Sequence, residues 1–367
     1  MKRMPLWAVI LLDFLALSII LLSFAYFHHV RPNVVAEVSE VSTDHPHRFG
    51  DDSSEESDPS AVSEDSEESG SFVIDVSDTE SSEEPVSEPF DEPSGESKEV
   101  SHSSDPTYRP TTAEIVERRG TDYVYNSENI SVVVTELTVA AKYGSSICHF
   151  ADIRIGMAEN LRTVLADNKF GTVREDPVSM ANRVNAIIAI NGDYYGNSSE
   201  AYGAIIRNGV LYNKKPDNPD VFVMYYDGTM RAFEKGNFDA DTAMQDGAYQ
   251  SWDFGPSLLS ADGTPYTNVD FARKTNLNPP NPRTVIGYFG PGHYCFFTVN
   301  GRGGDGTSVG LRMEDLAKIL SDLGCKAAYN LDGGATSAMV FRGKVINSPC
   351  NGDPRACSDL IAIVEFE

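Results

Sequence analysis

Positive charge is scarce in this chain of 367 residues: 29 Lys and Arg stand against 55 Asp and Glu, for a formal net charge of −26. No basic stripe is present to meet a phosphate backbone, which excludes nucleic acid as a partner. Cysteine is sparse as well. Cys148, Cys295, Cys325, Cys350 and Cys357 contain no CxxC spacing of the zinc-binding kind. Cys148, Cys295 and Cys325 lie in apolar, strand-like surroundings and read as buried free thiols. Cys350 and Cys357 are near enough in sequence to close a small disulfide loop outside the cell. His149 and His293 stand alone, without the His/Asp ligand set that metal-dependent hydrolysis needs. No Gly-Lys-Ser or Gly-Lys-Thr follows a glycine-rich stretch, so there is no P-loop. No internal repeat is evident.

The negative charge is concentrated. Between Glu37 and Asp105 roughly 23 acidic residues face only Arg48 and Lys98, so the remainder of the chain is mildly acidic. Residues 32–110 are rich in Ser, Glu, Asp and Pro, as in Glu80-Ser81-Ser82-Glu83-Glu84-Pro85. Such a composition buries too little apolar surface to offset ordering entropy, and like charges extend it. It reads as a disordered acidic stalk. Before it, residues 1–31 open with Lys2 and Arg3 and continue as an apolar run from Pro5 to Phe27. About 23 apolar residues span a bilayer with some tilt. The flanking cations favour a cytoplasmic N-terminus. No small-x-small cleavage site follows, so an uncleaved signal anchor is favoured over a cleaved signal peptide. Asp13 within the run is a cost. The expectation is a single-pass protein of the cell membrane with its folded part extracellular.

From Thr111 to Glu367 the pattern becomes globular, enough for one large domain. Ile130 to Ala141 alternates and is rich in Val and Thr, as a strand does, and Ser146 to Ile155 reads as a second strand. Pro177 to Val184 reads as a helix feeding the buried apolar strand Ala186 to Ile190. Asn208-Gly209 and Asp227-Gly228 mark hairpin turns. Val285 to Tyr288 and Cys295 to Val299 are strands on either side of Gly290-Pro291-Gly292. Leu316, Ile319, Leu320 and Leu323 fall on one face of a helix from Met313, which Gly324 ends. Ala327 to Leu331 is a further strand. Many hairpins and few helices predict an α+β domain on a single mixed sheet.

Two segments carry chemistry. Asn330-Leu331-Asp332-Gly333-Gly334-Ala335-Thr336-Ser337 ends a strand. Alternation puts Asn330 and Asp332 on one side, Gly333 and Gly334 allow a close backbone approach, and two hydroxyls follow. Asp-Gly is equally a common hairpin turn. Asn191-Gly192-Asp193-Tyr194-Tyr195 ends the strongest apolar strand in the same way, where a self-bonded turn is the plain alternative. Arg283 enters a strand after a Pro-rich loop, and Arg302 sits in the Gly-rich stretch Asn300 to Gly306, which reads as a mobile loop able to close over a substrate. Both arginines offer a fork suited to phosphate or carboxylate, though single arginines are commonly ordinary surface residues.

Together these segments, with Gly255-Pro256-Ser257-Leu258-Leu259 and Pro282-Arg283-Thr284-Val285-Ile286-Gly287, resemble the phosphodiester glycosidase family. They occur in the family's order and cover most of Ile130 to Glu367. The chain departs from the family at Asp193 and Tyr194, where Gly-Phe is frequent, and at Ala335 to Ala338, where one hydroxyl is lost. The resemblance implies an extracellular hydrolase, anchored in the membrane, that cleaves the C1–O bond of sugar-1-phosphodiesters in surface or cell-wall glycans. It implies Asp332, Asp193 and Asn191 as catalytic residues. Arg283 and Arg302 would hold phosphate, and Asn330, Gly333, Gly334, Thr336 and Ser337 would bind the sugar. No cofactor is called for, and a carboxylate-bound divalent cation stays open. The alternative is a non-catalytic cell-surface glycan-binding or exopolysaccharide-assembly protein on the same scaffold.

Overall fold

The computed structural model describes residues 110–194, 203–274 and 278–366. The expected membrane span and nearly all of the expected stalk lie outside the described residues, as does Tyr195. Among the described residues no helix is long and apolar enough to cross a membrane.

In chain order the first strands are β1 (Glu114–Asn126), β2 (Ile130–Ala141), β3 (Gly144–Ile155) and β4 (Leu161–Leu165). Helix α1 (Pro177–Arg183) precedes β5 (Ile188–Asn191), β6 (Ile205–Arg207), β7 (Val210–Asn213), β8 (Asp220–Tyr225) and β9 (Met230–Glu234). Then come α2 (Ala240–Gln245), β10 (Ala248–Trp252), α3 (Asn268–Lys274), β11 (Arg283–Gly290) and β12 (His293–Val299). The chain ends with α4 (Met313–Asp322), β13 (Ala327–Asn330), β14 (Met339–Phe341), β15 (Lys344–Val345) and β16 (Asp359–Ile363).

Three sheets and a hairpin result: β1-β2-β3-β12-β11-β13, β15-β14-β5-β16-β4, β10-β8-β9, and β6-β7. The fold is rich in sheet and has few helices. The expectation of one mixed sheet is refined, because each ladder between these strands is antiparallel. Hairpins such as β6-β7 supply these pairings directly: Asn208 (φ 52°) and Gly209 (φ 77°) take the left-handed conformation that a two-residue turn requires.

Period-2 alternation decides which face each strand buries. In β2, Ile130, Val132 and Val134 enter a core shared with Ile188 and Ile190 of β5 and Phe222 of β8. Further along the same strand the opposite parity is buried, with Leu137 and Val139 packing beside Leu316, Ile319 and Leu320 of α4. β12 buries both faces at once, Tyr294 and Phe296 in the first core and Cys295, Phe297 and Val299 in the second. The six-stranded sheet is therefore the middle layer, with the other sheets on one side and α4 on the other. Helix α4 begins where the Asp315 carboxylate accepts the Arg312 N–H at 3.1 Å, a bond that serves one of the donors a helix start leaves open.

The Gly-rich stretch holds a hydrogen-bonded turn centred on Asp305. Asp305 accepts hydrogen bonds from Asn300 Nδ2, the Thr307 N–H and the Ser308 N–H. Burial opposes its charge, yet these bonds and that from the Ser308 hydroxyl bring its carboxyl down to about 2. Cys350 and Cys357 are both free thiols, so the expected small disulfide loop is absent.

Candidate active site

The ends of β5 and β13 meet. Both strands are apolar until a polar residue closes them, so their termini carry side chains out of the core on rigid supports. The Asn191 amide joins three separate stretches of chain. Its Nδ2 donates to the Asp332 carbonyl at 2.6 Å, and its Oδ1 accepts from the Thr284 hydroxyl at 2.8 Å and the Ala338 N–H at 3.1 Å. The Asp332 N–H in turn donates to the Gly192 carbonyl at 3.3 Å. Asn191 is fully buried, and in this structure it fixes the position of Asp332.

Asp193 lies in a buried charge cluster. Arg207, at 0% side-chain exposure, donates from Nη2 to Asp193 Oδ2 at 2.9 Å and from Nε to Asp359 Oδ2 at 2.8 Å. The Asp193 N–H donates to Asp359 Oδ1, and the Asp253 N–H donates to Asp193 Oδ2. Burial pushes the Asp193 carboxyl up, Arg207 pulls it back and Asp359 pushes it further, leaving it at about 7. Asp359 and Asp253 are also raised, chiefly by burial. Gly192 has no room for a side chain, since a Cβ there would stand 2.2 Å from Asp359 Oδ1.

Asp332 keeps a little exposure, 11% of its side chain. Its Oδ1 accepts the Gly333 N–H at 2.8 Å, and its Oδ2 accepts from Arg355 Nη2 at 3.1 Å. Arg355 Nε donates to the buried Thr336 hydroxyl at 2.8 Å. Burial raises the Asp332 carboxyl, while Arg355, Thr336 and the Gly333 N–H act against it.

The remaining expected site residues divide into two groups. Arg283 is buried, with Nε on the Leu311 carbonyl at 3.1 Å and Nη2 on the Pro279 carbonyl at 2.8 Å. Burial, then the charge of Arg302, lowers it to about 10. It clamps loops together beneath the site. Gly333 packs on that clamp, because a Cβ there would stand 2.8 Å from the Pro282 carbonyl. Arg302 is exposed, and its guanidinium lies across Gly334, 3.2 Å from where a Cβ would be. Asn330 Nδ2 donates to the Gly255 carbonyl at 2.8 Å. Asn330 Oδ1, Ser337 Oγ and Asp193 Oδ1 are buried without a hydrogen-bond partner among the described residues.

Sequence reasoning missed Arg207, Asp253, Asp359 and Arg355. Two of these carry a signal. Arg207 closes the apolar Ala204-Ile205-Ile206, and Asp359 opens the apolar Leu360-Ile361-Ala362-Ile363. A charge contiguous with a fully buried strand end needs a counter-charge.

Residues 184–364 match the phosphodiester glycosidase family. The SPbeta prophage-derived uncharacterized protein YomE of Bacillus subtilis (strain 168) is 34% identical over 199 residues, 53% of this chain and 30% of that protein. The match thus spans under a third of that relative's length. Among solved structures, the zebrafish N-acetylglucosamine-1-phosphodiester alpha-N-acetylglucosaminidase catalytic domain, auto-inhibited by its pro-peptide, is similar in fold at a TM-score of 0.55 and 21% identity. That likeness covers 70% of this chain and 89% of the zebrafish chain.

Proposed function

Through residues 184–364 the chain belongs to the phosphodiester glycosidase family, and we propose that it hydrolyses the C1–O bond of a sugar-1-phosphodiester to free sugar and a phosphomonoester. The observation that carries this reading is the meeting of the two strand ends that bear Asp193 and Asp332, tied by the Asp332 N–H on the Gly192 carbonyl and by Asn191 Nδ2 on the Asp332 carbonyl. Asp332 is the more accessible of the two, and the carboxyl of the deeper Asp193 sits at about 7. An oxocarbenium-like transition state is stabilised by a carboxylate held in its charged form beside C1. Asp332, ion-paired to Arg355, suits that role. Asp193 exchanges its proton near neutrality and suits transfer of the proton released from the attacking water. The water oxygen ends on C1 and the bonding electrons leave with phosphate, which needs little acid assistance. Asn330 Oδ1 and Ser337 Oγ, without a hydrogen-bond partner among the described residues, suit sugar hydroxyls. Arg302 suits the phosphate.

The apolar run ahead of an acidic Ser/Glu/Pro-rich segment supports a single-pass anchor with the domain held outside the cell, near surface or cell-wall glycans. Labelling of intact cells with a membrane-impermeant amine reagent reaches the domain in that arrangement and fails if the domain is cytoplasmic.

The test is incubation with an α-GlcNAc-1-phosphodiester and with plain glycosides, with products identified by mass spectrometry. Free sugar plus phosphomonoester, abolished by Asp332→Asn, is the expected outcome. Sugar-1-phosphate as product means that the other bond is cut and the assignment is wrong. Glycan binding without turnover favours a binding or assembly protein.

A further inference from the structure

Arg355 and Arg302 reach the same turn. The Arg355 N–H donates to the Ala335 carbonyl at 2.9 Å, and its guanidinium spends Nε on Thr336 and Nη2 on Asp332. Arg302 spends only Nε, on Asn281 Oδ1 at 3.0 Å, while its Nη1 and Nη2 stand over Gly334. Among the described residues, Arg302 Nη1 and Nη2 and Arg355 Nη1 have no hydrogen-bond acceptor. Both side chains face solvent, Arg355 at 51% exposure.

The contrast with the other two arginines is informative. Arg207 and Arg283 are buried and have their guanidinium arms on carboxylates and carbonyls. Those arms are taken up inside the protein. Arg302 and Arg355 keep open arms beside a glycine that leaves the backbone uncovered. Two cations of this kind stand beside Asp332 in a chain otherwise short of positive charge. The planar fork of a guanidinium matches the oxygens of a phosphate group in a bidentate way.

We infer that Arg302 and Arg355 form an anion site across the Gly333–Thr336 turn that takes the phosphate of a phosphate ester. Where the phosphate is that of a sugar-1-phosphodiester, this rests on the reading proposed above; the anion site itself does not require turnover. Arg355 then touches both Asp332 and the departing phosphate. A phosphomonoester dianion is held more tightly than the diester monoanion, because attraction scales with charge. The product and inorganic phosphate are accordingly competitive inhibitors.

The experiment is isothermal titration of the full-length protein, in detergent micelles, with inorganic phosphate and with methyl phosphate. Wild type, Arg302→Gln, Arg355→Gln, Arg355→Lys and the exposed control Arg118→Gln are compared, with melting temperatures recorded for each. Saturable binding is expected in wild type and Arg118→Gln. Each Gln substitution weakens it about tenfold, as loss of a charge-assisted hydrogen bond does, and Arg355→Lys recovers part of that loss. If Arg355→Gln fails to fold, Arg302→Gln and Arg355→Lys decide. Absence of phosphate binding in wild type, or equal binding in all folded variants, overturns the site. The two proposals fail separately. Phosphate binding lost in the variants, with no turnover of any phosphodiester by wild type, removes the glycosidase reading alone. Turnover with unchanged KM in both Gln variants removes the anion site alone.

Discussion

Replacing Arg207 by Met removes a buried cation that two buried carboxylates share, at 2.9 Å to Asp193 and 2.8 Å to Asp359. Met keeps much of the length and none of the charge. Breaking a buried pair by removing one partner costs about 3–5 kcal/mol, because the other charge is left uncompensated. The cost must depend on pH. Burial already raises both carboxyls, and Arg207 is the main influence holding them down. A carboxyl whose folded pKa is raised contributes stability that is fully present below its unfolded value and is lost as pH rises through the folded value. In wild type that loss by Asp193 runs from about 4 and ends near 7. In Arg207→Met the folded value is higher, so the loss continues beyond 7. The deficit against wild type therefore widens above neutrality, by roughly 1.4 kcal/mol per pH unit for each carboxyl that still holds its proton. Urea unfolding at pH 5.5, 7 and 8.5 measures it. Arg207→Lys, which keeps the charge, shows a smaller deficit with little pH dependence. A deficit in Arg207→Met that is constant, or that shrinks on the alkaline side, refutes the account of the cluster.

Four further outcomes follow from the structure. Gly192→Ala drives a methyl group to 2.2 Å from a carboxylate pinned on both oxygens; overpacking of this kind costs about 1–3 kcal/mol, read as a lowered melting temperature. Gly120→Ala, which meets nothing within 4 Å, stays within about 0.5 kcal/mol of wild type. His149, pushed down to about 4 by burial, contributes stability present above its unfolded value of 6.5 and lost as pH falls toward 4. His149→Leu consequently loses less stability than wild type between pH 7 and 4.5, by up to about 3 kcal/mol, and equal acid sensitivity in a denaturation series contradicts the burial argument. Asp305→Ala releases the turn that carries Arg302, so KM for a phosphodiester rises while kcat changes little; a fall in kcat at constant KM counts against Arg302 as a phosphate ligand.

Legibility in this chain follows the range of the interactions. β2 and the run of α4 are readable because alternation and the Leu316-Ile319-Leu320 stripe are local patterns. β1 is not, because Glu-Ile-Val-Glu-Arg-Arg is charged and the strand, at the sheet edge, buries little. The acids of the site stand in contiguous motifs at strand ends, so Asp193 and Asp332 could be picked out. Their counter-charges could not. Arg207 and Asp359 are separated by 152 residues and meet only because β6 ends where β16 begins. Asn191 shows the other limit. The resemblance implied a catalytic role for it, while its partners at Thr284 and Ala338, 93 and 147 positions away, could not be read from the sequence. A buried cluster of carboxylates is costly without cations, and those cations are not sequence neighbours when the acids end separate strands. The search that would have found them starts from the acids. Each Asn-Gly-Asp or Asn-x-Asp-Gly-Gly strand end predicts an arginine elsewhere, abutting an apolar run, and Ile206-Arg207 fits that description in the bare sequence.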